Sequence, residues 1–213
     1  MPFDMPPVTR TLLIANVGIY LLQMLVGDPL IIHFALWPLG TQVLTEDGTS
    51  IGFEVWQLVT YGFLHADLAH LFFNMFALWM FGGAIERLFG SRPFAVYYLA
   101  CVIGAGIAQL LVIAWFTGGI YPTLGASGGV FGLLLAFGMM FPHQRIMLLF
   151  PPIPMPAWVF VTGYGAIELI LGITGSQAGV AHFAHLGGMV AGFVLIQYWR
   201  GRLPIKPRRI LMR

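Results

Sequence analysis

Four polar side chains stand near the starts of three strongly apolar segments, and their types suit acyl transfer. Ser127 lies between glycines in YPTLGASGGVFG (121–132), where a new apolar run begins. His185 lies near the start of the last apolar run, and histidine can take a proton from a hydroxyl near neutral pH. His70 and Asn74 are four residues apart in HADLAHLFFN, so they share one helix face. A nucleophile, a base and two oxyanion donors are the parts that serine-type acyl transfer requires.

Two stripes of small residues run beside Ser127 and His185 at intervals of four positions. Their members are Gly128, Gly132 and Ala136 in one segment and Ala184, Gly188 and Gly192 in the other. Small residues let membrane helices pack backbone to backbone. Packing of the two stripes would therefore bring the hydroxyl face to face with the imidazole.

Three of these polar residues also have a structural interpretation. Ser127 could be a helix N-cap, a position where serine is favoured, and a GxSG tetrapeptide alone is a weak signal. His70 and Asn74 could hydrogen-bond between helices and stabilise a bundle. Four polar residues from three segments at one depth favour a functional site over these separate roles.

The composition places these residues in a membrane protein. The chain is 59% hydrophobic and 8% charged, whereas soluble domains carry about 25% charged residues. We predict one all-α membrane domain over residues 1–213, with six spans and a long outer loop between the first two. The single cysteine, Cys101, excludes an internal disulfide. The start MPFDMPPVTR lacks a cleavable signal pattern, so the first segment is expected to remain as an anchor. The predicted spans are 11–27, 66–85, 94–116, 127–141, 155–173 and 179–199.

The cations predict the orientation of these spans. With six spans, all ten Lys and Arg residues fall on one side of the membrane. By the positive-inside rule both termini are predicted to be cytoplasmic, and the basic tail (200–213) is expected to contact anionic lipid. The long connection over 28–65 is predicted to face outward. The cations are Arg10, Arg87, Arg92, Arg145, Arg200, Arg202, Lys206, Arg208, Arg209 and Arg213, and the acidic residues of the outer connection are Asp28, Glu46, Asp47 and Glu54.

The fourth segment is too short to cross a membrane fully. SGGVFGLLLAFGMMF holds 15 residues before Pro142, which is roughly 22 Å of helix against a hydrocarbon thickness of about 30 Å. Ser127 is therefore expected to lie below the outer surface. The irregular stretch before it must be covered by protein or line a water-filled cavity.

From Trp56 onward the chain resembles the rhomboid intramembrane serine proteases. The resemblance rests on FLHADLAHLFFNM (63–75), FGGAIERLFG (81–90), GASGG (125–129) and AHLGGMVAG (184–192). Together these motifs are highly specific, and they resemble the minimal six-span form of the family.

The resemblance implies a Ser–His dyad rather than a triad, with Ser127 as nucleophile and His185 as base. It places His70, Asn74 and the backbone N–H of Ser127 in the oxyanion hole. It also implies that an aromatic ring four positions after the serine stacks on the base. The expected supporting residues are Phe131, which holds that position, His65 in a structural role, and Gly125, Gly128, Gly188 and Gly192.

One position departs from the family pattern. Many rhomboids have Trp-Arg in the first outer loop, where this chain has Trp56 and Gln57. In the family the loop arginine has a role in embedding the loop in the membrane or in folding it, and the departure puts that role in question here. It leaves the catalytic pair unaffected.

Several other titratable residues need a role. His182 precedes His185 by three residues, but the small residues that follow at three and seven positions favour His185 as the base. A metal is not expected, because no HExxH spacing is present and no nearby carboxylate completes a site. Glu168 should face the bundle and form a hydrogen bond. It could instead orient the base, but the fifth span lies at the wrong position in the family pattern, so a structural role is favoured.

Four further residues are expected to have ordinary roles. Glu86 and Arg87, at the cytoplasmic end of the second span, should pair or cap locally. His33 and His143 are expected to be solvated residues in or near loops.

These features lead to one functional hypothesis and two alternatives. We expect an endopeptidase that cleaves single-pass membrane proteins in or near their spans, without metal, cofactor or nucleic acid. The substrate is expected to enter sideways near spans two and five, in a prokaryotic plasma membrane. A non-catalytic client-binding protein on the same scaffold would typically lack the serine or the histidine. A small transporter would show repeat symmetry and broken helices in matching halves.

Overall fold

The computed structural model describes residues 5–44, 48, 50–147, 152–175 and 181–207 of the chain. Several sequence-based expectations fall outside these residues. They concern Glu46 and Asp47 of the first connection, residues 179–180 of the sixth predicted span, and residues 208–213 of the basic tail.

Long helices dominate the described residues, and their bounds lie close to the predicted spans. Helix α1 is Pro7–Val26, and a second long helix runs from α4 (Leu68–Ala77) through a π-helical turn (Leu78–Gly82) into α5 (Gly83–Phe89). Helix α6 (Ser91–Val112) ends in a π-helical turn, Ile113–Thr117. The remaining long helices are α7 (Ser127–Met140), α8 (Ala157–Thr174) and α9 (His182–Trp199).

Four of these helices are long and apolar enough to cross a membrane: Pro7–Val26, Leu68–Phe89, Ser91–Thr117 and Ala157–Thr174. Helix α7 has only 14 residues, as its short apolar segment indicates. Helix α9 has 18 residues, but two histidines and Gln197 reduce its hydropathy. The predicted helical membrane fold is confirmed, and the number of six spans stays a prediction.

Short elements fill the connections. In the first connection, α2 (Asp28–Phe34) is followed by a two-stranded ladder of β1 (Val43–Leu44) and β2 (Ser50–Ile51) and by α3 (Gln57–Thr60). A 3-10 turn, Tyr61–Phe63, follows α3. A second antiparallel ladder, β3 (Arg145–Met147) with β4 (Pro154–Pro156), joins α7 to α8. Neither ladder is predicted from the sequence.

Gln57 connects three stretches of the first connection. Its side chain is buried, with Oε1 accepting from the backbone N–H of Trp37 at 3.1 Å and Nε2 donating to the carbonyl oxygen of Gly52 at 3.0 Å. Nε2 also lies 3.5 Å from the carbonyl oxygen of His33. An amide both donates and accepts, whereas an arginine can only donate. Gln57 therefore makes a set of contacts that arginine could not reproduce.

Helix α7 occupies the centre of the bundle and packs against α9 through glycine. A Cβ added to Gly188 would overlap the backbone carbonyl of Gly128, and one added to Gly132 would lie 3.3 Å from the Gly188 oxygen. The predicted backbone-to-backbone packing is thus confirmed at these three residues. Gly192 instead faces Tyr97 of α6, whose hydroxyl fills the space a side chain would need and donates to the Gly132 carbonyl at 2.7 Å.

Glu86 holds the starts of two helices. Its carboxylate accepts from the N–H groups of Val8 at 3.0 Å and Thr9 at 2.7 Å, and from the hydroxyls of Thr9 at 2.8 Å and Ser91 at 2.7 Å. Locally, Glu86 forms a side-chain hydrogen bond with Ser91, but neither α5 nor α6 has a side-chain capping bond at its start, so the expected cap is not formed there. However, the two N–H groups lie 77 and 78 residues away in α1, a distance that no local pattern could show. A helix start offers unpaired N–H groups and positive potential, which suits a carboxylate.

Replacing Glu86 by glutamine is expected to lower the free energy of unfolding by about 2–3 kcal/mol. The amide nitrogen of glutamine cannot accept the N–H and O–H groups that a carboxylate oxygen accepts, so hydrogen bonds to a buried charged group are lost. Unfolding in detergent micelles measures the change. Glu54→Gln, at an exposed position, is the matched control. Equal stabilities of the two variants would contradict the assigned role of Glu86.

Candidate active site

The hydroxyl of Ser127 faces the imidazole of His185. Ser127 Oγ lies 2.9 Å from His185 Nε2. Helix α7 begins at Ser127, and its cap residue is Ala126, with no side-chain capping bond. The interpretation of Ser127 as a simple N-cap is therefore wrong. The structure brings the predicted nucleophile and base together by placing the first residue of α7 against the first turn of α9.

The other ring nitrogen of His185 indicates which tautomer is present. His185 Nδ1 lies 2.9 Å from Oε2 of Glu168, and an ionised carboxylate only accepts hydrogen bonds. In the neutral imidazole Nδ1 must then carry the proton, which leaves Nε2 free to accept from the Ser127 hydroxyl. His182, the competing candidate, directs its own Nδ1 to Glu168 at 2.7 Å.

The ring of Phe131 lies flat on the imidazole of His185. The ring centroids are 4.2 Å apart and the planes differ by 6°. Phe131 follows Ser127 by four residues on α7, so both side chains face α9. The stacking restricts the tilt of the imidazole, as the resemblance implied for this position.

His70 and Asn74 lie on one face of α4, beside Ser127. The His70 N–H donates to the N-cap side chain of Asp67 at 2.7 Å, and His70 Nδ1 lies 3.4 Å from the Ala66 N–H as an acceptor. The proton of neutral His70 is then on Nε2. The Asn74 amide donates one N–H to the His70 carbonyl at 2.9 Å and keeps a second N–H.

Gly125 lets the irregular segment before α7 pass close to His70. Its φ of 132° disfavours any residue with a Cβ. An added Cβ would lie 2.8 Å from His70 Nε2 and 3.6 Å from Ser127 Oγ. The Nε2 donor of His70 therefore faces the same small space as the serine hydroxyl.

All four predicted polar residues line one cavity of about 780 Å³. Its walls include apolar side chains from the Leu68–Phe89 helix and from α8, such as Phe73 and Phe160. The cavity thus extends between the second and fifth long helices and reaches Ser127.

Glu168 lies between two histidines. Its side chain is buried, and the one oxygen Oε2 contacts Nδ1 of both His182 and His185. The expectation that Glu168 faces the bundle and forms hydrogen bonds is confirmed. The expectation that no carboxylate lies near the histidines is wrong, because Glu168 comes from another helix, 14 and 17 residues away. The donor atoms of this group lie within 4.8 Å of one another, so these described residues could also hold a metal ion.

His65 has a buried environment outside the long helices. Its backbone N–H and carbonyl bond to the side-chain amide of Gln23 in α1, at 3.2 and 2.7 Å. Its ring meets that of His70 edge-on, with centroids 5.1 Å apart, and neither ring nitrogen has a hydrogen-bond partner among the described residues. Burial, with a smaller effect of His70, lowers the pKa of His65 to about 4.

This shift predicts that acid destabilises the fold. The folded-state pKa of His65 is below the ordinary histidine pKa of 6.5, so between these values the unfolded chain binds a proton that the folded chain excludes. The contribution of neutral His65 to the free energy of unfolding is fully present above about pH 6.5. The free energy of unfolding falls by at most about 3 kcal/mol as the pH approaches 4. Thermal unfolding in micelles at several pH values measures this loss. We expect His65→Asn to reduce the acid sensitivity, whereas His143→Asn, at an exposed site, should leave it unchanged. An unchanged acid sensitivity in His65→Asn contradicts the prediction.

Residues 52–202 match the family model of the Rhomboid domain. Among similar proteins, the rhomboid protease GluP of Bacillus subtilis (strain 168) is 36% identical over 143 residues, covering 66% of this chain and 25% of the relative. The mitochondrial presenilin-associated rhomboid-like protein of Bos taurus is 33% identical, covering 67% and 39%. The rhomboid protease GlpG of Yersinia pestis (strain Pestoides F) is 25% identical, covering 92% and 63%. The chain thus spans less than two thirds of each relative.

Proposed function

The chain belongs to the rhomboid family, and we propose that it is an integral-membrane serine endopeptidase that cleaves other membrane proteins. The observation that carries the proposal is the 2.9 Å contact between Ser127 Oγ and His185 Nε2 beside a cavity that also holds His70 and Asn74. Two of the relatives are named as rhomboid proteases, which supports the same activity.

In the first half of the proposed reaction, His185 Nε2 takes the proton of the Ser127 hydroxyl. Ser127 Oγ attacks the scissile carbonyl carbon, and the carbonyl π bond breaks to place negative charge on its oxygen. We assign the stabilisation of this oxyanion to His70 Nε2–H, the second N–H of Asn74 and the backbone N–H of Ser127. The backbone donor is available because the first N–H groups of a helix have no partner within it.

The intermediate then collapses and the peptide C–N bond breaks. His185 gives its proton from Nε2 to the departing amine, which leaves an acyl ester on Ser127. A water molecule, deprotonated by His185, attacks the ester carbonyl. The same donors stabilise the second oxyanion. When this intermediate collapses, the ester bond between the acyl carbon and Ser127 Oγ breaks, His185 gives its proton to Oγ, and the acid product leaves.

We further propose that the substrate reaches Ser127 from the side, between the helix Leu68–Phe89 and α8. The cavity walls come from both helices and are mostly apolar, which suits a membrane segment. A peptide bond inside a helix is shielded, so the substrate must unwind locally. Small or helix-breaking residues near the cleavage site are therefore favoured.

The protein is an integral multi-pass membrane protein, and we propose six spans with both termini cytoplasmic in a prokaryotic plasma membrane. The contact of Glu86 with the start of α1 supports this orientation. It places the start of α1, which carries Arg10, beside the end of the second long helix, which carries Arg87, so both cations lie on one side of the membrane. We propose a single membrane domain for residues 1–213.

The proposal is tested with purified protein in liposomes that contain a fluorescently labelled single-span substrate. We expect two fragments whose amount grows with time and enzyme concentration, and we expect prior treatment with a fluorophosphonate to block their formation. If the protein binds the substrate but neither cleaves it nor reacts with the fluorophosphonate, the chain is a client-binding protein and the proposal is wrong.

A further inference from the structure

A carboxylate that is buried in an apolar bundle needs partners, and Glu168 has two on one oxygen. Glu168 is 4% exposed, and its partners His182 and His185 are 5% and 9% exposed. An ionisable residue inside a membrane span is costly and usually marks a functional site. The contacts form a continuous chain from Ser127 through His185 and Glu168 to His182, across α7, α9 and α8.

We infer that Glu168 is a positioning residue for His185, an inference that rests on the proposed function. The acceptor at 2.9 Å from Nδ1 selects the tautomer whose Nε2 can accept the serine proton. When His185 becomes protonated during the reaction, the same carboxylate lies beside the positive imidazolium. An acidic residue plays this role in Ser-His-Asp triads, whereas the resemblance implied a dyad without a third member.

Stacking by Phe131 cannot replace this contact. A half-turn about the Cβ–Cγ bond keeps the imidazole in the same plane and so keeps the 4.2 Å stacking distance, but it exchanges nitrogen and carbon positions. Hydrogen bonds to the ring nitrogens distinguish the two orientations, and Glu168 supplies the one at Nδ1. Phe131 therefore sets the plane of the imidazole, and Glu168 sets its rotation and its tautomer.

His182 has a different part in this arrangement. Its Nδ1 lies 2.7 Å from the same Oε2, so it is a second partner that holds the carboxylate in place. A bond between α8 and α9 needs only the Glu168–His182 contact. The additional contact to His185 is what a positioning role requires and what a purely structural link would not need.

The test compares Glu168→Gln, Glu168→Asp and His182→Gln with the wild type in the liposome assay, and records kcat, KM and thermal stability for each. Glu168→Gln keeps the shape and removes the charge. We expect its kcat to fall on the order of 10²- to 10⁴-fold, with KM within about twofold because Glu168 is not among the residues that line the cavity. Glu168→Asp retains the charge and should recover part of kcat. His182→Gln should lose less than about tenfold in kcat, since the contact with His185 remains.

A structural link predicts a different pattern. Glu168→Gln and His182→Gln would then lower the unfolding temperature in parallel and leave kcat near the wild-type value, which would overturn the inference. Loss of wild-type activity on treatment with a metal chelator would also overturn it, because Glu168 would then serve as a metal ligand.

A spectroscopic measurement on the unmodified protein keeps the inference testable if the variants fail to fold. Nitrogen-15 NMR of the histidine side chains should show His185 protonated at Nδ1, and protonation at Nε2 would overturn the inference.

The outcomes of these experiments distinguish the proposed function from the positioning role of Glu168. Wild-type protein that neither cleaves nor reacts with fluorophosphonate overturns the proposed function, whereas active wild type with an equally active Glu168→Gln overturns only the positioning role.

Discussion

Replacing Ser127 by alanine is expected to abolish cleavage, with a loss in kcat on the order of 10⁴- to 10⁶-fold. The hydroxyl is the only nucleophile that we assign, and it contacts His185 Nε2 at 2.9 Å. His185→Ala should cost about as much, because the serine then has no base. The double variant should be no worse than either single one, since the two residues act as a unit.

The cleavage rate of the labelled substrate in liposomes measures these losses, with thermal unfolding as a check on the fold. His143→Ala is the matched control for the histidine, because this side chain is exposed and lies outside the cavity. It should retain full activity. Residual cleavage within tenfold of wild type in folded Ser127→Ala would show that another group attacks the substrate.

The second large effect is expected from one added methyl group at the contact between α7 and α9. A Cβ at Gly188 would overlap the backbone carbonyl of Gly128, and a backbone cannot move aside as a flexible side chain can. Gly188→Ala must therefore push the helices apart near Ser127 and His185. A displacement of about 1 Å in an active site can cost about 10²-fold in rate. Overpacking should also lower stability by about 1–3 kcal/mol.

Gly163 provides the matched control for this substitution. It lies in α8, and an added Cβ there would meet nothing within 4 Å. Gly163→Ala should leave cleavage unchanged and stabilise the helix by up to about 1 kcal/mol. Wild-type activity in Gly188→Ala would contradict the assigned contact between the two helices.

The sequence predicted the long helices and the contact of Ser127 with His185 because both depend on local patterns. Apolar runs of sufficient length form helices in a membrane, and their predicted bounds lie within a few residues of those observed. The glycines beside Ser127 and His185 predicted which two helices meet. Their offsets also distinguished His185, which contacts Ser127, from His182.

Other features depend on contacts between distant segments, which no spacing in one segment reveals. Glu168 reaches the histidines from α8, and no motif links the two segments. Glu86 binds the start of α1, although α1 itself, the first connection and most of the second long helix separate the two in the sequence. Gln57 makes its contacts only after the first connection has folded around it. In each case the buried polar side chain requires a hydrogen-bond partner, but the sequence does not identify that partner.

The central claim is that Ser127 is a nucleophile activated by His185, and mapping of a fluorophosphonate adduct tests it most directly. Purified protein is treated with the reagent, digested and analysed by mass spectrometry. We expect one adduct on Ser127 that forms much more slowly in His185→Ala and is absent from Ser127→Ala. Cleavage of substrate by protein whose Ser127 remains unmodified at saturating reagent, or an adduct on another residue, would contradict it.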